Sequence, residues 1–373
     1  MKIFVFAFLS LLFTNIMWTQ STILGTLNHD GKTRNYRIHI PANHNKDIAL
    51  PLVFNFHGYT SNAFEQELYS GMNQVADTAR FIVCYPDGLN NAWNVGWAFG
   101  STADDVGFTA AMIDEFYVKY GIDKSRVYSC GMSNGGFMSY ILACRLNDRI
   151  AAIASVTGSM IPNGVNTCKP DRSVPVMEIH GTADGTVNYN GTPLVAASIP
   201  NVLKFWQENN GCDQSPNIEQ VPNINTSDNT TSEKWTYTNC KDGSQLIHFK
   251  VNGGGHTWPG ALLSIGVTSQ DFNASVEIWK FFRQFSINIP SSVDNPTMTI
   301  KPEIFPVPFS DEMHISVKED TWLVIKDVQG RTVFSQTLPA GNHSLPARLW
   351  NTGMYFVTSK AGQKINSQKV IKI

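Results

Sequence analysis

Val127-Tyr-Ser-Cys-Gly-Met-Ser-Asn-Gly-Gly136 decides how this chain is read. An apolar, β-type run ends in Gly131-Met132-Ser133-Asn134-Gly135, and a helix-like run from Phe137 to Leu146 follows at once. Gly-x-Ser-x-Gly between a strand and a helix is the context a nucleophile elbow needs. Side chains flanking so tight a turn would clash, hence Gly131 and Gly135. The turn lifts Ser133 above the strand end. Its hydroxyl then sits near the N-terminus of the next helix, where developing negative charge is favoured. A Gly-rich turn holding an ordinary serine is the plainer reading; the flanking strand and helix favour the catalytic one.

A serine nucleophile needs a base, and the base needs a group to orient it. Where the elbow is used, the partners follow in the order Ser, Asp, His on loops after strands. Strand-like Val174 to Ile179 runs into His180-Gly-Thr-Ala-Asp184. Leu246 to Val251 runs into Gly253-Gly-Gly-His256-Thr-Trp-Pro-Gly260, whose glycines let the backbone bend the imidazole back over the serine. Asp184 and His256 are thus the expected partners of Ser133, although each alone would pass for a turn residue. An oxyanion hole of backbone N–H groups is expected from Asn134 and from the loop His57-Gly-Tyr-Thr60, with the Tyr59 amide first and Thr60 second. His57 reads as a brace for that loop. The other histidines lack metal-ligand spacing, so no metal and no cofactor are expected.

The flanking sequence alternates strand-like and helix-like runs. Pro51 to Phe56, Phe81 to Cys84, the elbow strand, Ile153 to Val156 and Val174 to Ile179 read as strands. Met72 to Arg80 and Val106 to Tyr120 read as helices between them. This order predicts a mostly parallel α/β sheet. Ile23 to Asn28 and Arg34 to Ile40 alternate around Asn28-His-Asp-Gly31 as a hairpin, and Val276 to Phe285 is the last helix. Beyond it, short alternating runs separated by turns predict a small all-β sandwich.

Met1-Lys2 followed by Ile3 to Trp18 reads as a secretory signal peptide rather than a membrane anchor. The expected divisions are a signal peptide over 1–20, an α/β domain over 21–288, a linker over 289–301 and a β-sandwich over 302–373. The 373 residues carry a net charge of −2 and 16% charged residues, which gives no case for nucleic acid or an anionic membrane. No later stretch reaches the ~20 apolar residues of a spanning helix. Export permits disulfides among the six cysteines, whose pairing the sequence leaves open. Cys84 and Cys130 lie in apolar strand runs and read as buried thiols. Cys144, Cys168, Cys212 and Cys240 are the better bridge candidates.

His57-Gly58, Tyr85-Pro-Asp-Gly88, Asp104-Asp-Val-Gly-Phe108, Gly131-Met-Ser-Asn-Gly-Gly136, His180-Gly-Thr-Ala-Asp184 and Gly254-Gly-His-Thr-Trp-Pro-Gly260, taken in order, resemble the esterase/polyhydroxybutyrate depolymerase family. That family overlaps carbohydrate esterase family 1, with its feruloyl and acetylxylan esterases. The resemblance covers roughly residues 25–285 and implies an α/β-hydrolase fold. It also supports Ser133, Asp184 and His256, and it suggests disulfides Cys144–Cys168 and Cys212–Cys240. In that fold the strands of Cys84 and Cys130 flank a shared neighbour. Two spacings of ~4.8 Å exceed the ~7 Å limit for a bridge.

Phe305-Pro-Val-Pro-Phe-Ser310, Ile325-Lys-Asp-Val-Gln-Gly330, Gly353-Met-Tyr-Phe356 and Gln368-Lys-Val-Ile-Lys-Ile373 resemble the C-terminal sorting domain of the type IX secretion system of Bacteroidetes. This implies delivery through the periplasm to the cell surface or medium, with that machinery as a partner. A carbohydrate-binding β-module is the alternative.

The expected function is a secreted serine esterase acting on plant polysaccharide esters, feruloyl or acetyl. A polyhydroxyalkanoate depolymerase is the alternative, and a polysaccharide-binding protein on a hydrolase scaffold is the non-enzymatic one. A serine peptidase of similar fold would need a specificity domain that the chain does not suggest. Trp93, Trp97 and Trp258, with Tyr59 and Phe99, are expected to form aromatic walls beside Ser133; simple loop packing is the competing account.

Overall fold

In a computed structural model, residues 21–287, 302–361 and 364–373 are described. The expected signal peptide and linker lie outside them. The chain divides into two compact units, with the boundary between Ile289 and Pro290.

The first unit opens with β1 (Ser21–His29) and β2 (Lys32–Ile40), the expected hairpin. There follow β3 (Leu50–Phe56), α1 (Ala63–Ser70), α2 (Met72–Ala79), β4 (Ile82–Pro86), α3 (Asp105–Tyr120), β5 (Ile122–Met132) and α4 (Asn134–Arg145). Then come β6 (Ala152–Val156), α5 (Pro162–Thr167), β7 (Val176–Gly181), α6 (Ile199–Asn209), β8 (Asn217–Val221), β9 (Thr231–Tyr237), β10 (Leu246–Asn252) and α7 (Ala274–Phe282). The strands form one ten-stranded sheet in the order β1-β2-β4-β3-β5-β6-β7-β10-β9-β8. From β4 through β10 neighbouring strands are parallel, and both edges are antiparallel.

Every residue of β3 and of β4 is buried, as a continuous apolar run covered on both faces should be. The period of two sends Phe54, Ile82 and Cys84 into one core with Phe116 and Phe137. It sends Val53, Val83 and Cys130 into the other with Tyr128 and Phe282. Cys84 and Cys130 therefore lie on opposite faces as well as on strands separated by β3, and both are free thiols. Cys144 is joined to Cys168 and Cys212 to Cys240.

Three details depart from the sequence reading. The helical stretch expected at Met72 to Arg80 is preceded by a separate helix, α1. Asn62 caps α1, accepting from the Glu65 amide, and Gly71 ends it in the left-handed region. Strand β8 was not anticipated, because four of its five residues are exposed and carry no apolar alternation. The elbow helix starts at Asn134 rather than Phe137, since Gly135 and Gly136 mask its first turn.

The second unit holds β11 (Glu303–Phe305), β12 (Glu312–Val317), β13 (Thr321–Asp327), β14 (Thr332–Leu338), β15 (Gly341–Pro346), β16 (Gly353–Ala361) and β17 (Lys364–Lys372). They make a three-stranded sheet, β11-β12-β15, and a four-stranded one, β14-β13-β16-β17. Met313 and Ile315 of the first share a core with Leu323, Ile325 and Val357 of the second. Strands β11 and β15 were not anticipated; β11 has three residues and β15 buries only Leu345.

Candidate active site

Parallel strands point their carboxyl ends to one edge of the sheet, and ligands of open α/β sheets bind in the crevice there. The segments after β3, β5, β7 and β10 all leave from that edge.

At the end of β5, Ser133 adopts φ 54° and ψ −121°, a strained backbone for a residue with a side chain. The neighbouring glycines make the turn possible. A Cβ on Gly135 would stand 2.0 Å from the Phe56 carbonyl oxygen, and one on Gly131 would stand 2.6 Å from the same atom. The strand-to-helix turn is thus pressed against the end of β3, and Asn134 becomes the first residue of α4.

After β7, the Asp184 side chain is buried. Its Oδ1 accepts from the amides of Thr186 and Val187, at 2.8 and 2.9 Å. Its Oδ2 accepts from His256 Nδ1 at 2.7 Å. Because the carboxylate only accepts, Nδ1 carries a proton, and in the neutral ring the lone pair is then on Nε2. Gly181 permits this approach: a Cβ there would meet the Gly254 carbonyl oxygen at 2.2 Å. The two loops therefore run against each other, and His256 is reached from Asp184.

Ser133 and His256 line one cavity of about 590 Å³, together with Tyr59, Leu68, Tyr69, Met132, Leu263 and Ile265. No hydrogen bond joins Ser133 to His256 among the described residues; such contacts commonly tighten only when substrate binds. A cavity of about 620 Å³ beside Asn190 and Phe205 contains none of Ser133, Asp184 and His256.

The loop after β3 is held by His57, which is fully buried. Its Nε2 accepts from the Gly88 amide at 3.0 Å, so Nδ1 is the donor to the Gly58 carbonyl at 2.7 Å. Burial pushes its pKa down, consistent with the neutral ring this bonding requires. The Thr60 amide donates to Asn91 O at 2.8 Å. That corrects the expectation of Thr60 as an oxyanion donor, because its N–H is already engaged. The amides of Tyr59 and Asn134 have no such acceptor among the described residues.

The expected tryptophan walls are also corrected: Tyr59 lines the Ser133 cavity, but Trp93, Trp97 and Trp258 do not. Trp93 is buried and donates from Nε1 to the His57 carbonyl at 2.9 Å. Its own amide donates to Asn134 Oδ1 at 2.7 Å. Trp258 is buried too and donates from Nε1 to Ser275 Oγ at 3.1 Å. A large ring with one N–H is a good brace between loops, because it buries apolar area and still satisfies its donor. Trp97 differs. It is half-buried, stacked on Phe99 at 5.0 Å and set edge-on to Tyr59 at 6.4 Å. Asp105 pins this aromatic loop, accepting from the Asn94 amide and from Arg34, each at 2.7 Å.

The sequence reading missed Leu68, Leu263 and Ile265, which are 57%, 66% and 64% exposed at the cavity mouth. For Leu263 and Ile265 the signal was an apolar cluster, Leu262-Leu-Ser-Ile265, in a loop just after the His256 motif; Leu68, in α1, had none. Among the described residues no three His, Cys, Asp or Glu side chains gather to hold a metal, and no helix is long and apolar enough to cross a membrane.

A mostly parallel sheet with helices on both faces, a strained serine turn after its fifth strand and an Asp–His pair on later strand ends together define an α/β-hydrolase. Residues 35–198 match the family described as Esterase PHB depolymerase, and residues 303–373 match the Secretion system C-terminal sorting domain. Feruloyl esterase B of Piromyces equi is 31% identical over 67% of this chain and 45% of its own length. NocK of Nocardia uniformis subsp. tsuyamanensis, named as a candidate esterase, is 30% identical over 62% of this chain and 72% of its own. The bifunctional acetylxylan esterase/xylanase XynS20E of Neocallimastix patriciarum is 28% identical over 68% of this chain and 34% of its own. The chain thus spans less than half of the first and third of these relatives. It belongs to the esterase/polyhydroxybutyrate depolymerase family, a family of carboxylic ester hydrolases, and carries a sorting domain for secretion to the cell surface or beyond.

Proposed function

We propose that this protein hydrolyses carboxylic esters of plant polysaccharides, feruloyl esters foremost, through an acyl-enzyme on Ser133. The observation that carries the reading is the 2.7 Å bond from His256 to Asp184 at the cavity that Ser133 lines. With Nδ1 committed to Asp184, His256 Nε2 takes the Ser133 proton as Oγ attacks the ester carbonyl, then gives it to the departing sugar alcohol. The amides of Asn134 and Tyr59 receive the oxyanion, water then attacks the acyl-enzyme, and Ser133 is restored.

Cavity size and lining favour a bulky acyl group. About 590 Å³ lies within the range of ~300–1,000 Å³ that buries drug-sized ligands. An acetyl group would leave most of it empty. Relatives named for feruloyl and acetylxylan esterase activity support the polysaccharide ester class. Rates on methyl ferulate, acetylated xylan and polyhydroxybutyrate, each with wild type and Ser133→Ala, test the reading. The expected order puts ferulate first. Equal or better turnover of acetylated xylan would sink the acyl preference, and activity surviving Ser133→Ala would sink the mechanism.

Polyester hydrolysis is the second reading. It is favoured by one feature, the exposed apolar mouth of Leu68, Leu263 and Ile265, and preferential turnover of polyhydroxybutyrate would select it.

A further inference from the structure

Beneath Asp184 lies a buried polar chain that the mechanism above does not use. His180 ends β7, and its side chain has no solvent exposure. Its Nε2 is 2.8 Å from the Val187 carbonyl oxygen and 3.4 Å from Asp184 Oδ2. Both atoms only accept, so Nε2 carries a proton. Its Nδ1 is 2.9 Å from Glu178 Oε1, and the other Glu178 oxygen accepts from the Tyr140 hydroxyl at 2.7 Å. One proton lies between Nδ1 and Oε1 whichever atom owns it. The pair is therefore neutral as a whole, and in either form Nε2–H bonds to the Val187 carbonyl with Asp184 Oδ2 beside it. Asp184 Oδ2 thus faces two imidazoles, His256 at 2.7 Å and His180 at 3.4 Å.

We infer that His180, anchored by Glu178, is a positioning residue for the reaction, fixing the Asp184 carboxylate and tempering its charge toward His256. This rests on the reading of Ser133, His256 and Asp184 as a triad. One of the two amides that hold Asp184 Oδ1 belongs to Val187, whose carbonyl accepts from His180 Nε2. By holding Val187 from a fully buried position, His180 holds that amide and with it the carboxylate. Its Nε2–H dipole, 3.4 Å from Oδ2, also offsets part of the negative charge that would otherwise stabilise the His256 imidazolium.

The other groups around the pair are quiet. Tyr140 from α4 and Tyr189 from the loop after β7 are pushed up by burial and stay neutral. His248 from β10 donates from Nδ1 to the Glu178 carbonyl, and burial holds its pKa at about 3. Tyr237, Glu233 and Lys250 act one layer out, on Tyr189 and His248. Burial raises Glu178, with the His180 contact opposing. Burial alone would lower His180, but Glu178 outweighs it and the net shift is upward. The acid limb of kcat/KM should therefore report His256.

Two amide substitutions separate the contacts. In His180→Gln the side-chain amide reaches the Nε2 position and can still donate to the Val187 carbonyl beside Asp184. In His180→Asn it reaches only the Nδ1 position, keeping Glu178 and losing both Val187 and the approach to Asp184. On a soluble p-nitrophenyl ester, His180→Gln should stay within a few-fold of wild type. His180→Asn should lose about 10- to 100-fold in kcat, the range over which groups that orient a metal-binding side chain act, with KM nearly unchanged. Its acid limb should move to higher pH. Wild-type rates and pH profile in both variants overturn the inference. So does an equal loss in both with an unmoved acid limb, which is what a packing role gives.

If His180→Asn does not fold, ¹⁵N-histidine NMR of the wild-type chain decides. The His180 Nε2–H signal should persist from about pH 5 to 9 and shift as His256 titrates; a signal blind to that titration overturns the inference. Ser133→Ala separates the two levels. If that variant stays active, the triad reading fails and takes this inference with it. If it is inactive while His180→Asn behaves as wild type, only the role of His180 fails.

Discussion

Ser133 sits at φ 54° and is 8% exposed, a conformation that folding must sustain against strain. Such strain suggests a chemical use, and replacement tests it. Ser133→Ala should lower kcat by about 10⁴ to 10⁶ while leaving the far-ultraviolet spectrum unchanged, because triad members act as a unit. His256→Ala should be comparably damaging, and Asp184→Asn should cost about 10⁴ by favouring the wrong imidazole tautomer. Steady-state kinetics on a soluble ester measures all three. A different histidine makes stability depend on pH. Burial lowers the His248 pKa to about 3 from an ordinary 6.5. Between those values the unfolded chain binds a proton that the folded chain refuses, so stability falls as pH falls. The slope from this group approaches about 1.4 kcal/mol per pH unit. Urea unfolding at pH 7 and pH 5 should show the stability gap between wild type and His248→Gln narrowing at the lower pH. A gap that stays constant would count against the neutral buried form.

At the scale of elements, the site depends on how closely loops approach one another. Gly135 lets α4 start against the end of β3, where a Cβ would overlap the Phe56 carbonyl. Gly135→Ala should cost about 1–3 kcal/mol or more, because the obstacle is backbone rather than a flexible side-chain tip. Thermal unfolding reads this, and a variant with unchanged Tm would mean the turn can relax. The disulfides act at the same scale, tying α4 to the segment after α5 and the end of α6 to the loop after β9. Peptide mapping without reductant should recover those two pairs. Cys84 and Cys130 should resist thiol reagents until the chain unfolds, since both are fully buried and burial raises their thiol pKa values.

For the whole molecule, the division near Ile289 separates two tasks. Ser133, Asp184 and His256 all lie in the first unit, whose two cores, among the described residues, draw on none beyond Ile287. The second unit has its own core, centred on Ile315, Leu323, Ile325 and Val357. A chain of residues 21–290 should fold and keep kcat/KM on a soluble ester within a few-fold of the full protein. In the native host, the same truncation with its first 20 residues retained should accumulate in the periplasm. Cell fractionation with activity assays would show this, and normal surface delivery would sink the sorting role of residues 303–373. Loss of activity confined to insoluble polymer would instead assign the second unit to substrate binding.

The chain by itself determined the fold class, the serine turn and the Asp–His pair. Each is local: Gly131 and Gly135 bracket Ser133, and Asp184 and His256 follow apolar runs of strand length. Parallel strands then carry all three to one edge of the sheet without any knowledge of packing. The tertiary structure alone decided which residues face the cavity. Trp93 and Trp258 look like binding aromatics in sequence, but each turns its N–H inward, Trp93 to brace the loop after β3 and Trp258 to tie its loop to α7. Thr60 looks like an oxyanion donor, but its amide is taken by Asn91, a residue 31 positions away. The Glu178–His180 pair passes for ordinary strand residues until β7 and α4 bring Tyr140 over it. In each case the deciding contact joins elements distant in sequence. Side-chain direction there is set by packing, which neither periodicity nor motif spacing records.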